Sequence, residues 1–457
     1  MIVQRVEKHI IKENHKYYKM LDDFCFKSKN LYNFANYQVR QCFTICSKLA
    51  DNKKLKEEQK EFLTNLNLKV DEFNKKKLNK YSEDIKKGKI VKEPKLLKHF
   101  GVDNKFISYS FNDFLCKGLD YSSMPIAGAS QQCLRLLEKN WKSFFVAIKD
   151  WINHKDKYTG RPKLPKYLPK NGRNILILTN AQAKLKNGFV VFPKSFNGLT
   201  IKTNINNLQQ VRILPRNKHM VIEIIYNLEV SEIKQDNSRY IGIDIGLDNL
   251  ATLTNNVGIQ PIIISGRKLK SINKYYNKQM SHYREIAKRM NNLDYTNRMN
   301  KLTIKRNNMI TNLIHKASKS IINYALSCGA NTIVIGNNRD WKRNSPMSKK
   351  VNQSFVGIPH QMLINQIIYK AENVGIKTII TEESYTSGTS FLDNELPIKQ
   401  NYNKSRRIYR GLFVSNKGIK INSDVNGSLQ IIKKVFSNAF KGYEIKDYGF
   451  NPIRVGL

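Results

Sequence analysis

Residues 240–254, YIGIDIGLDNLATLT, decide how the C-terminal half of this chain folds. Isoleucine occupies alternate positions along 241–245, which predicts a β-strand with one apolar face. The opposite face carries Gly242, Asp244 and Gly246. A buried aspartate is unfavourable unless it is paired or coordinated. We therefore expect the two glycines to leave room beside Asp244 for a hydrated ion or a phosphate group.

The charge composition points to a polyanionic partner. Lysine and arginine number 79 and aspartate and glutamate 36, which gives a formal net charge of +43 in 457 residues. Such an excess repels itself unless a polyanion neutralises it, and nucleic acid is the usual one. A membrane surface is the other candidate, but we find no amphipathic helix with a dominant Trp/Leu face. Because the basic residues are spread along the whole chain, a long polyanion in a channel is favoured.

The remaining composition predicts a soluble, cytoplasmic protein without a membrane partner. Hydrophobic residues make up 40% of the chain, enough for a core, and its length predicts about two to four domains. The six cysteines contain no CxxC pair, which is typical of a reduced intracellular protein. The N-terminus lacks the apolar stretch of a signal peptide, and no later run approaches the length of a membrane span.

The N-terminal half is predicted to be α+β. Residues 1–15 predict one strand, and 16–158 predict a helical domain in which apolar residues recur at steps of three and four along 134–151. The Lys-rich block 51–100 within it predicts a solvated helix and a flexible loop. Residues 159–237 predict antiparallel β-structure, which we interpret as a small β-barrel domain.

A basic, proline-rich loop at residues 160–173 begins this β-domain. Its three prolines favour a rigid, extended backbone, and it carries Arg161, Lys163 and Lys166. Such a loop suits contact with a sugar-phosphate backbone, and we take these three residues and Tyr167 as candidate nucleic-acid contacts. A plain linker is the alternative interpretation.

Residues 238–457 predict an RNase H-like domain. Three short strands form an antiparallel meander, and two long helices cover 267–328. Apolar stretches at 331–338 and 376–383 predict two buried strands, separated by one helix and followed by another that begins near residue 423. The order β-β-β-α-β-α-β-α is that of an RNase H-like domain interrupted by its helical pair.

Carboxylates from three of these elements would converge in such a domain. Asp244 lies on the first strand, Glu382 and Glu383 end the last strand, and Asp424 lies in the first turn of the last helix. Gathered in one crevice, three carboxylates can hold two Mg²⁺ or Mn²⁺ ions for in-line phosphodiester cleavage. Singly, Asp424 is equally explained as a helix-capping acid, and each glutamate as a surface residue. Only their joint placement favours the site.

Four further acids lie in predicted turns and are expected to be solvated; these are Asp248, Asp340, Asp393 and Glu395.

A Gly-Ile-Asp-x-Gly strand also begins the actin, Hsp70 and sugar-kinase ATPases. Their second Asp/Gly hairpin and Gly-Gly adenosine loop are missing from this sequence, and its net charge is foreign to a metabolite kinase.

With these motifs assembled, the chain resembles TnpB, the RNA-guided DNA nuclease of insertion-sequence transposons and the presumed ancestor of the type V CRISPR effectors. GIDIGLDNLATLT is similar to its first RuvC motif, YTSGTS (385–390) to its Thr-Ser block and DVNGSLQI (424–431) to its last motif. Similar stretches upstream are SKNLYNFANYQVRQ (28–41), QQCLRLLEKNWKSFF (131–145) and GRPKLPKY (160–167). The resemblance implies a RuvC-like nuclease domain, a helical recognition lobe and a β-barrel wedge domain.

One departure from the family pattern concerns the second metal ligand. Most members end the strand at 331–338 with a glutamate, but this chain has Gly336 and Asn337 there. Some relatives carry the glutamate just before the Thr-Ser block instead. The resemblance therefore implies Glu383, three residues before Thr386, as the ligand, with Glu382 as the alternative. Alternation along a strand would point these two side chains in opposite directions, so only one can be the ligand.

A second departure concerns zinc. Many members carry two CxxC pairs between the Thr-Ser block and the last aspartate, whereas the loop at 386–423 contains no cysteine. We expect no zinc, and we expect other contacts to hold this loop.

The resemblance also implies the activity and the partners. A guide RNA from the transposon end would pair with double-stranded target DNA, and the protein itself would read only a short motif beside the target. Asp244, Glu383 and Asp424 would cleave that DNA with Mg²⁺ in the nucleoid of a bacterial cytoplasm. The alternative is a nuclease-inactive, RNA-guided DNA-binding repressor, because the usual glutamate is missing at residues 336–337. The sequence does not determine whether the protein is a monomer or a dimer.

Overall fold

The computed structural model describes residues 1–338, 357–409, 411–442 and 451–457. These residues form two compact units, one spanning Ile2–Leu228 and the other Glu229–Leu457 together with Met1. Asp340, which we expected to be solvated, lies outside the described residues. Among the described residues, none of the helices is both long and apolar enough to cross a bilayer.

The N-terminal unit contains a bundle of helices around an aromatic core. Its helices are α1 (Tyr18–Ala50), α2 (Glu57–Lys86), α3 (Tyr109–Leu115), α4 (Leu119–Ser122) and α5 (Ala127–Asn153). The predicted apolar stripe of α5 is buried against α1, and its centre is Trp141, which is fully buried. The indole N–H of Trp141 donates to the side-chain oxygen of Asn36 on α1 at 3.0 Å, which satisfies the one polar atom of the ring.

The Lys-rich block is more firmly anchored than the sequence predicted. Its helix α2 is mostly exposed, as expected, but Leu66 and Val70 are buried in the core of the unit. The loop that follows α2 returns along it, because the Asn67 and Asn74 side chains each bind the backbone of that loop. The prediction of a flexible loop is therefore wrong for the part around residues 97–100.

The β-structure of this unit consists of two open sheets. Its strands are β1 (Ile2–Lys12), β2 (Leu176–Thr179), β3 (Lys184–Lys186), β4 (Phe189–Val191), β5 (Thr200–Lys202), β6 (Leu208–Arg216) and β7 (His219–Glu229). One sheet has the order β1-β7-β6-β2 and the other β3-β4-β5. The predicted closed barrel is therefore not what the described strands form. Because α1 and α5 cover the larger sheet at β6 and β2, its apolar face is buried without closure.

The C-terminal unit is built on a six-stranded sheet. Its strands are β8 (Tyr240–Asp244), β9 (Asn249–Asn255), β10 (Ile262–Ser265), β11 (Thr332–Gly336), β12 (Lys377–Thr381) and β15 (Ile453–Val455). They lie in the order β12-β11-β8-β9-β10-β15. β8, β9 and β10 are antiparallel, whereas β11 is parallel to both β8 and β12. This agrees with the predicted order of elements, but the parallel pairing of β15 with β10 was not anticipated.

The remaining elements of this unit cover the sheet or lie in the loop at 386–423. They are α6 (Arg267–Asn291), α7 (Asn297–Ser327), α8 (His360–Asn373), β13 (Leu412–Val414), β14 (Lys420–Asn422) and α9 (Ser423–Val435). The helical pair is α6 and α7, as predicted. One strand prediction is wrong: β12 is an edge strand rather than a buried one, with Lys377 exposed and the Ile380 side chain outward. Among the described strands, only β11 pairs with β12.

The two faces of β8 have different neighbours. Ile241 and Ile243 are fully buried in the core that includes α7 and α8. On the other face, α9 lies so close that a Cβ on Gly242 would stand 2.3 Å from the Ser428 carbonyl oxygen and 2.8 Å from Cγ1 of Ile432. Gly242 is therefore required by helix packing. Our expectation that it leaves room for an ion is wrong, because α9 fills that space.

Candidate active site

Asp244 is the last residue of β8, at the end of the central strand of the sheet. It pairs in register with Thr252 of β9 and is partly buried. Helix α9 approaches it through a glycine: a Cβ on Gly427 would stand 3.0 Å from Oδ2 of Asp244. The small residue beside this carboxylate is therefore Gly427, which lies 183 positions away in sequence and was not identified from the pattern.

Glu383 follows β12 and lies over the end of β11. A Cβ on Gly336 would stand 2.7 Å from Oε1 of Glu383, so the glutamate occupies the space next to that glycine. Oε1 is buried and has no hydrogen-bond partner among the described residues. The hydroxyl of Thr386 donates to the Glu383 carbonyl at 2.8 Å, which fixes the turn that carries it. Glu382 is exposed on the other side of the chain.

Asp424 lies in the first turn of α9. Asn422 caps this helix, because its side-chain oxygen accepts from the backbone N–H of Asp424 at 3.0 Å and of Val425 at 3.2 Å. The Asp424 carboxylate accepts from the Asn249 side chain at 2.6 Å and lies 3.6 Å from the Arg407 guanidinium. Asn422 therefore has the capping role that we considered for Asp424. The Asp424 carboxylate instead contacts Asn249 of β9.

All three carboxylates line one cavity of about 1020 Å³, which we call the carboxylate cavity. Glu382 is not among the described residues of its lining. The wall also carries three arginines and two tyrosines, which are Arg267, Arg407, Arg454, Tyr385 and Tyr402. Sequence reasoning assigned no role to these residues, because they come from separate segments, and only Tyr385 lies in a motif that was identified. Cations and aromatic rings beside acids suit a ligand that carries both phosphates and bases.

The carboxylates repel one another and are incompletely neutralised. Burial raises the pKa of Glu383 to about 7, an effect that the Lys434 ammonium reduces. Burial, followed by the charges of Glu383 and Asp424, raises the pKa of Asp244 well above its ordinary value, and Arg407 opposes this rise. Raised carboxyl pKa values in a cleft are typical of a functional site, since the protein alone does not stabilise the charged forms.

The residues fit a divalent cation in part. An orphaned buried carboxylate oxygen on Glu383 and a second carboxylate at Asp244 are hard oxygen donors of the kind that Mg²⁺ prefers. However, across the described residues no three His, Cys, Asp or Glu side chains are gathered closely enough to hold a metal as they stand. The Asp424 carboxylate instead accepts from Asn249 and lies near Arg407.

The loop at 386–423 is held by polar contacts. The carboxylate of Glu395 pairs with Arg406 at 2.6 Å and accepts from the Ser390 backbone N–H at 2.8 Å. Both charged side chains are only 16% exposed. Our expectation that Glu395 is solvated is therefore wrong. Asp393 also contributes, because it accepts from the Asn416 backbone N–H at 2.7 Å. Asp248, the remaining turn acid, pairs with Lys270.

The basic loop, residues 160–173, is described within the N-terminal unit. Arg161, Lys163, Lys166 and Tyr167 are all exposed. The loop backbone is fastened to α1, because side chains of that helix donate to its carbonyl groups: Asn33 to Leu168 at 2.9 Å, Asn36 to Pro165 at 3.1 Å and Arg40 to Pro165 at 2.6 Å. The guanidinium of Arg40 also covers the Tyr167 ring at 5.1 Å. The loop is thus rigid with its cations outward.

The strand order and flanking helices of the C-terminal unit resemble those of an RNase H-like fold, with acidic residues near the end of β8. The sequence profile OrfB_IS605, described as a probable transposase, matches residues 223–342, and the Cas12f1-like TNB domain profile matches residues 360–431. A curated relative, the TnpB-like protein ORF457 of Acidianus two-tailed virus, is 24% identical over 226 residues, or 48% of this chain and 46% of its own. The chain is therefore similar to a TnpB-like protein and to probable transposases over parts of its length.

The matched region is limited in extent. The alignment spans about half the length of the curated relative. Among solved structures, a Cas12f1–sgRNA–target DNA complex is 14% identical, with a TM-score of 0.33 and coverage of 93% of this chain and 98% of that one. Alicyclobacillus acidoterrestris C2c1 with single-guide RNA is 8% identical, with a TM-score of 0.33 and coverage of 90% and 70%. Similarity this low does not establish a shared function.

Proposed function

We propose that this protein is an RNA-guided DNA endonuclease that cleaves double-stranded DNA beside a short target-adjacent motif. The observation that supports the proposal is the carboxylate cavity, which Asp244, Glu383 and Asp424 line from three separate segments. Similarity to the TnpB-like relative and a net charge of +43 support nucleic acid as the substrate.

Asp244, Glu383 and Asp424 would hold Mg²⁺ or Mn²⁺, and no zinc is required. The bound ion supplies Lewis acidity towards the scissile phosphate. Glu383 contributes a carboxylate that is already desolvated and oriented by the Thr386 contact. Arg407 places a positive charge on the wall of the cavity, where it can bind a phosphate oxygen after leaving Asp424.

The proposed partners are a guide RNA and the target DNA. Base pairing between them supplies sequence specificity, and the protein contributes cations along the backbone. The outward cations of the basic loop are candidates for such contacts. Because α1 already holds the loop backbone in place, binding would not have to order it.

The proposal is tested by cleavage with guide RNA and Mg²⁺. RNA that co-purifies with the protein is sequenced to define the guide, and matching double-stranded DNA is supplied. Asp244→Ala and Asp424→Ala should abolish cutting and leave RNA binding intact, because they remove metal ligands rather than phosphate contacts. Asp294→Ala, which removes an exposed acid of the same unit, is the matched control. Wild-type cutting by either cavity variant would sink the assignment.

A nuclease-inactive, RNA-guided DNA-binding repressor is the second candidate. The pairing of Asp424 with Asn249 and Arg407 favours it, because this pairing leaves no complete ligand set among the described residues. The two candidates differ in one measurement. A repressor would bind its guided target at the same affinity with or without Mg²⁺ and leave the DNA intact.

A further inference from the structure

We propose that Tyr385 and Tyr402 form a stacking platform for one unpaired base of the DNA strand that enters the carboxylate cavity. This inference rests on the proposed function and adds a base-binding subsite to it. Both rings line the cavity that contains the three carboxylates. Both are also accessible, with 37% and 39% of their surface exposed.

The two rings form one rigid unit, which we call the tyrosine pair. Their centroids lie 5.9 Å apart at an interplanar angle of 72°, an edge-to-face contact. Tyr402 rests on Gly388: a Cβ there would stand 2.5 Å from Cε2 of the ring. The Asn403 backbone N–H donates to the Gly388 carbonyl at 3.0 Å and fixes the approach of the two segments. Gly388 and Tyr385 thus fix the position of the Tyr402 ring, while 39% of the Tyr402 surface stays exposed to a ligand.

Tyr385 is held in an unfavourable backbone conformation. Its φ of +68° lies in the left-handed region, which is uncommon for an aromatic residue. The hydroxyl of Thr389 donates to the Tyr385 carbonyl at 2.9 Å and secures this conformation. Strain that the surrounding structure maintains is concentrated at functional sites. Here it directs the ring into the cavity two residues after Glu383.

The neighbouring charges favour a nucleotide over other aromatic ligands. Arg407 and Arg267 line the same cavity and supply cations for phosphates on either side of a base. Aromatic rings stack on bases of any sequence, whereas a paired base inside a duplex presents no free face. The platform therefore fits a single strand that has been separated from its partner. It would hold that strand so that one phosphate lies near Asp244 and Glu383.

The proposal is tested by replacing single bases in the substrate and the rings in the protein. The complete protein–RNA complex cleaves target DNA in which one nucleotide at a time near the cut is made abasic. For the wild type, one position should raise KM about 5- to 100-fold, the loss of one base–aromatic stack. Tyr402→Leu should raise KM similarly on intact DNA, and the abasic nucleotide should add nothing further. Tyr402→Phe, which keeps the ring, should behave as the wild type.

Tyr409→Leu is the matched control, because Tyr409 is an exposed tyrosine of the same loop that is not among the described residues of the cavity wall. Additive penalties from the abasic site and Tyr402→Leu would overturn the proposal, as would equal effects of Tyr402→Leu and Tyr409→Leu.

A second readout separates this proposal from the nuclease activity. 2-Aminopurine placed at the sensitive position changes its fluorescence when it stacks on a ring. The fluorescence is recorded in EDTA. If the wild-type complex cuts DNA, the Asp244→Asn complex is used instead. If the wild-type complex does not cut, 2-aminopurine is placed at each position near the expected cut in turn. A ring-dependent change would support the platform, and if the wild-type complex also fails to cut in Mg²⁺, the endonuclease alone is contradicted. No ring-dependent change at any position would overturn the platform alone.

Discussion

Glu383 occupies the space that any side chain at position 336 would need. A Cβ on Gly336 would stand 2.7 Å from both Cγ and Oε1 of Glu383 and 2.5 Å from Cδ1 of Ile431. The end of β11 and the turn after β12 thus share one position for a carboxylate. Only one of these two segments can supply it, and a glycine in the first is the condition for a glutamate in the second.

Gly336→Ala should displace Glu383 from the carboxylate cavity. Contacts under 3 Å force one of the neighbours to move, and a shift of the carboxylate by about 1 Å costs on the order of 100-fold in rate. We also expect a loss of about 1–3 kcal/mol in the free energy of unfolding from overpacking. The rate of target cleavage and a denaturant titration measure the two effects.

The control for this variant exchanges the two residues. Gly336→Glu combined with Glu383→Gly moves the carboxylate to β11. Most members of the TnpB family, which this chain resembles, have their glutamate on that strand. This double variant should cleave faster than either single variant. Equal inactivity of all three would contradict a shared carboxylate position.

Glu383→Gln should abolish Mg²⁺-dependent cleavage, whereas Glu382→Gln should retain most of it. The first substitution removes the charge of a buried oxygen in the cavity with little change in shape, and the second changes an exposed residue. Single-turnover cleavage rates of the guided complex distinguish the two variants, each of which is the control for the other. The reverse result would assign the ligand to Glu382, and normal cutting by both would place the third ligand elsewhere.

The metal-free protein should lose stability as the pH rises. Burial raises the pKa of Glu383 from 4.5 to about 7, and the pKa of Asp244 is raised by burial and by the charges of Glu383 and Asp424; Lys434 and Arg407 oppose these shifts. A raised carboxyl pKa favours the protonated, folded form. The stabilisation is complete below about pH 4.5 and is lost as the pH rises through about 7.

Thermal unfolding in EDTA between about pH 5 and pH 8 measures this loss. Glu383→Gln should reduce the fall in the midpoint, since its amide does not titrate, and added Mg²⁺ should offset the fall in the wild type. A wild-type midpoint that does not change with pH would show that the carboxylates are already neutralised.

Lys434→Met should slow cleavage about 10- to 100-fold without weakening RNA binding. The Lys434 ammonium donates to the carbonyl of Ser384 at 2.9 Å and to its hydroxyl at 2.8 Å, which fixes the residue next to Glu383. Methionine keeps the length of the side chain and removes these bonds. Lys441→Met, at an exposed lysine beyond the same helix, should have no effect. Equal activity of both variants would mean that the turn holds Glu383 unaided.

Neutralising Arg161, Lys163 and Lys166 together should flatten the salt dependence of RNA binding. Each phosphate contact contributes about −0.7 to −0.9 to the slope of log affinity against log salt, so three lost contacts reduce the slope by about 2 to 3. Filter binding at several salt concentrations measures it. Lys27, Lys69 and Lys76 already pair with acids, so their neutralisation is the control. An unchanged slope would return the basic loop to the role of a linker.

The sequence by itself determined the order of elements in the C-terminal unit. Alternating isoleucines, apolar runs and capped helices are local patterns, and they identified β8 to β12, the helical pair and α9. The same patterns identified Asp244 and Asp424, because each lies at the end of a strongly patterned element. The resemblance to TnpB then selected Glu383 from two adjacent glutamates, which the residues alone left open.

The tertiary structure decided what depends on packing between distant segments. Gly242 was interpreted as room for an ion, yet α9 fills that space and Gly427 provides the room beside Asp244. β12 was expected to be buried, but its apolar residues do not reveal that, among the described strands, it pairs only with β11. The strands interpreted as a barrel lie in two separate sheets, and helices cover the larger one. Strand and helix periods record which face is apolar, whereas the identity of the covering element is fixed only when the chain is folded.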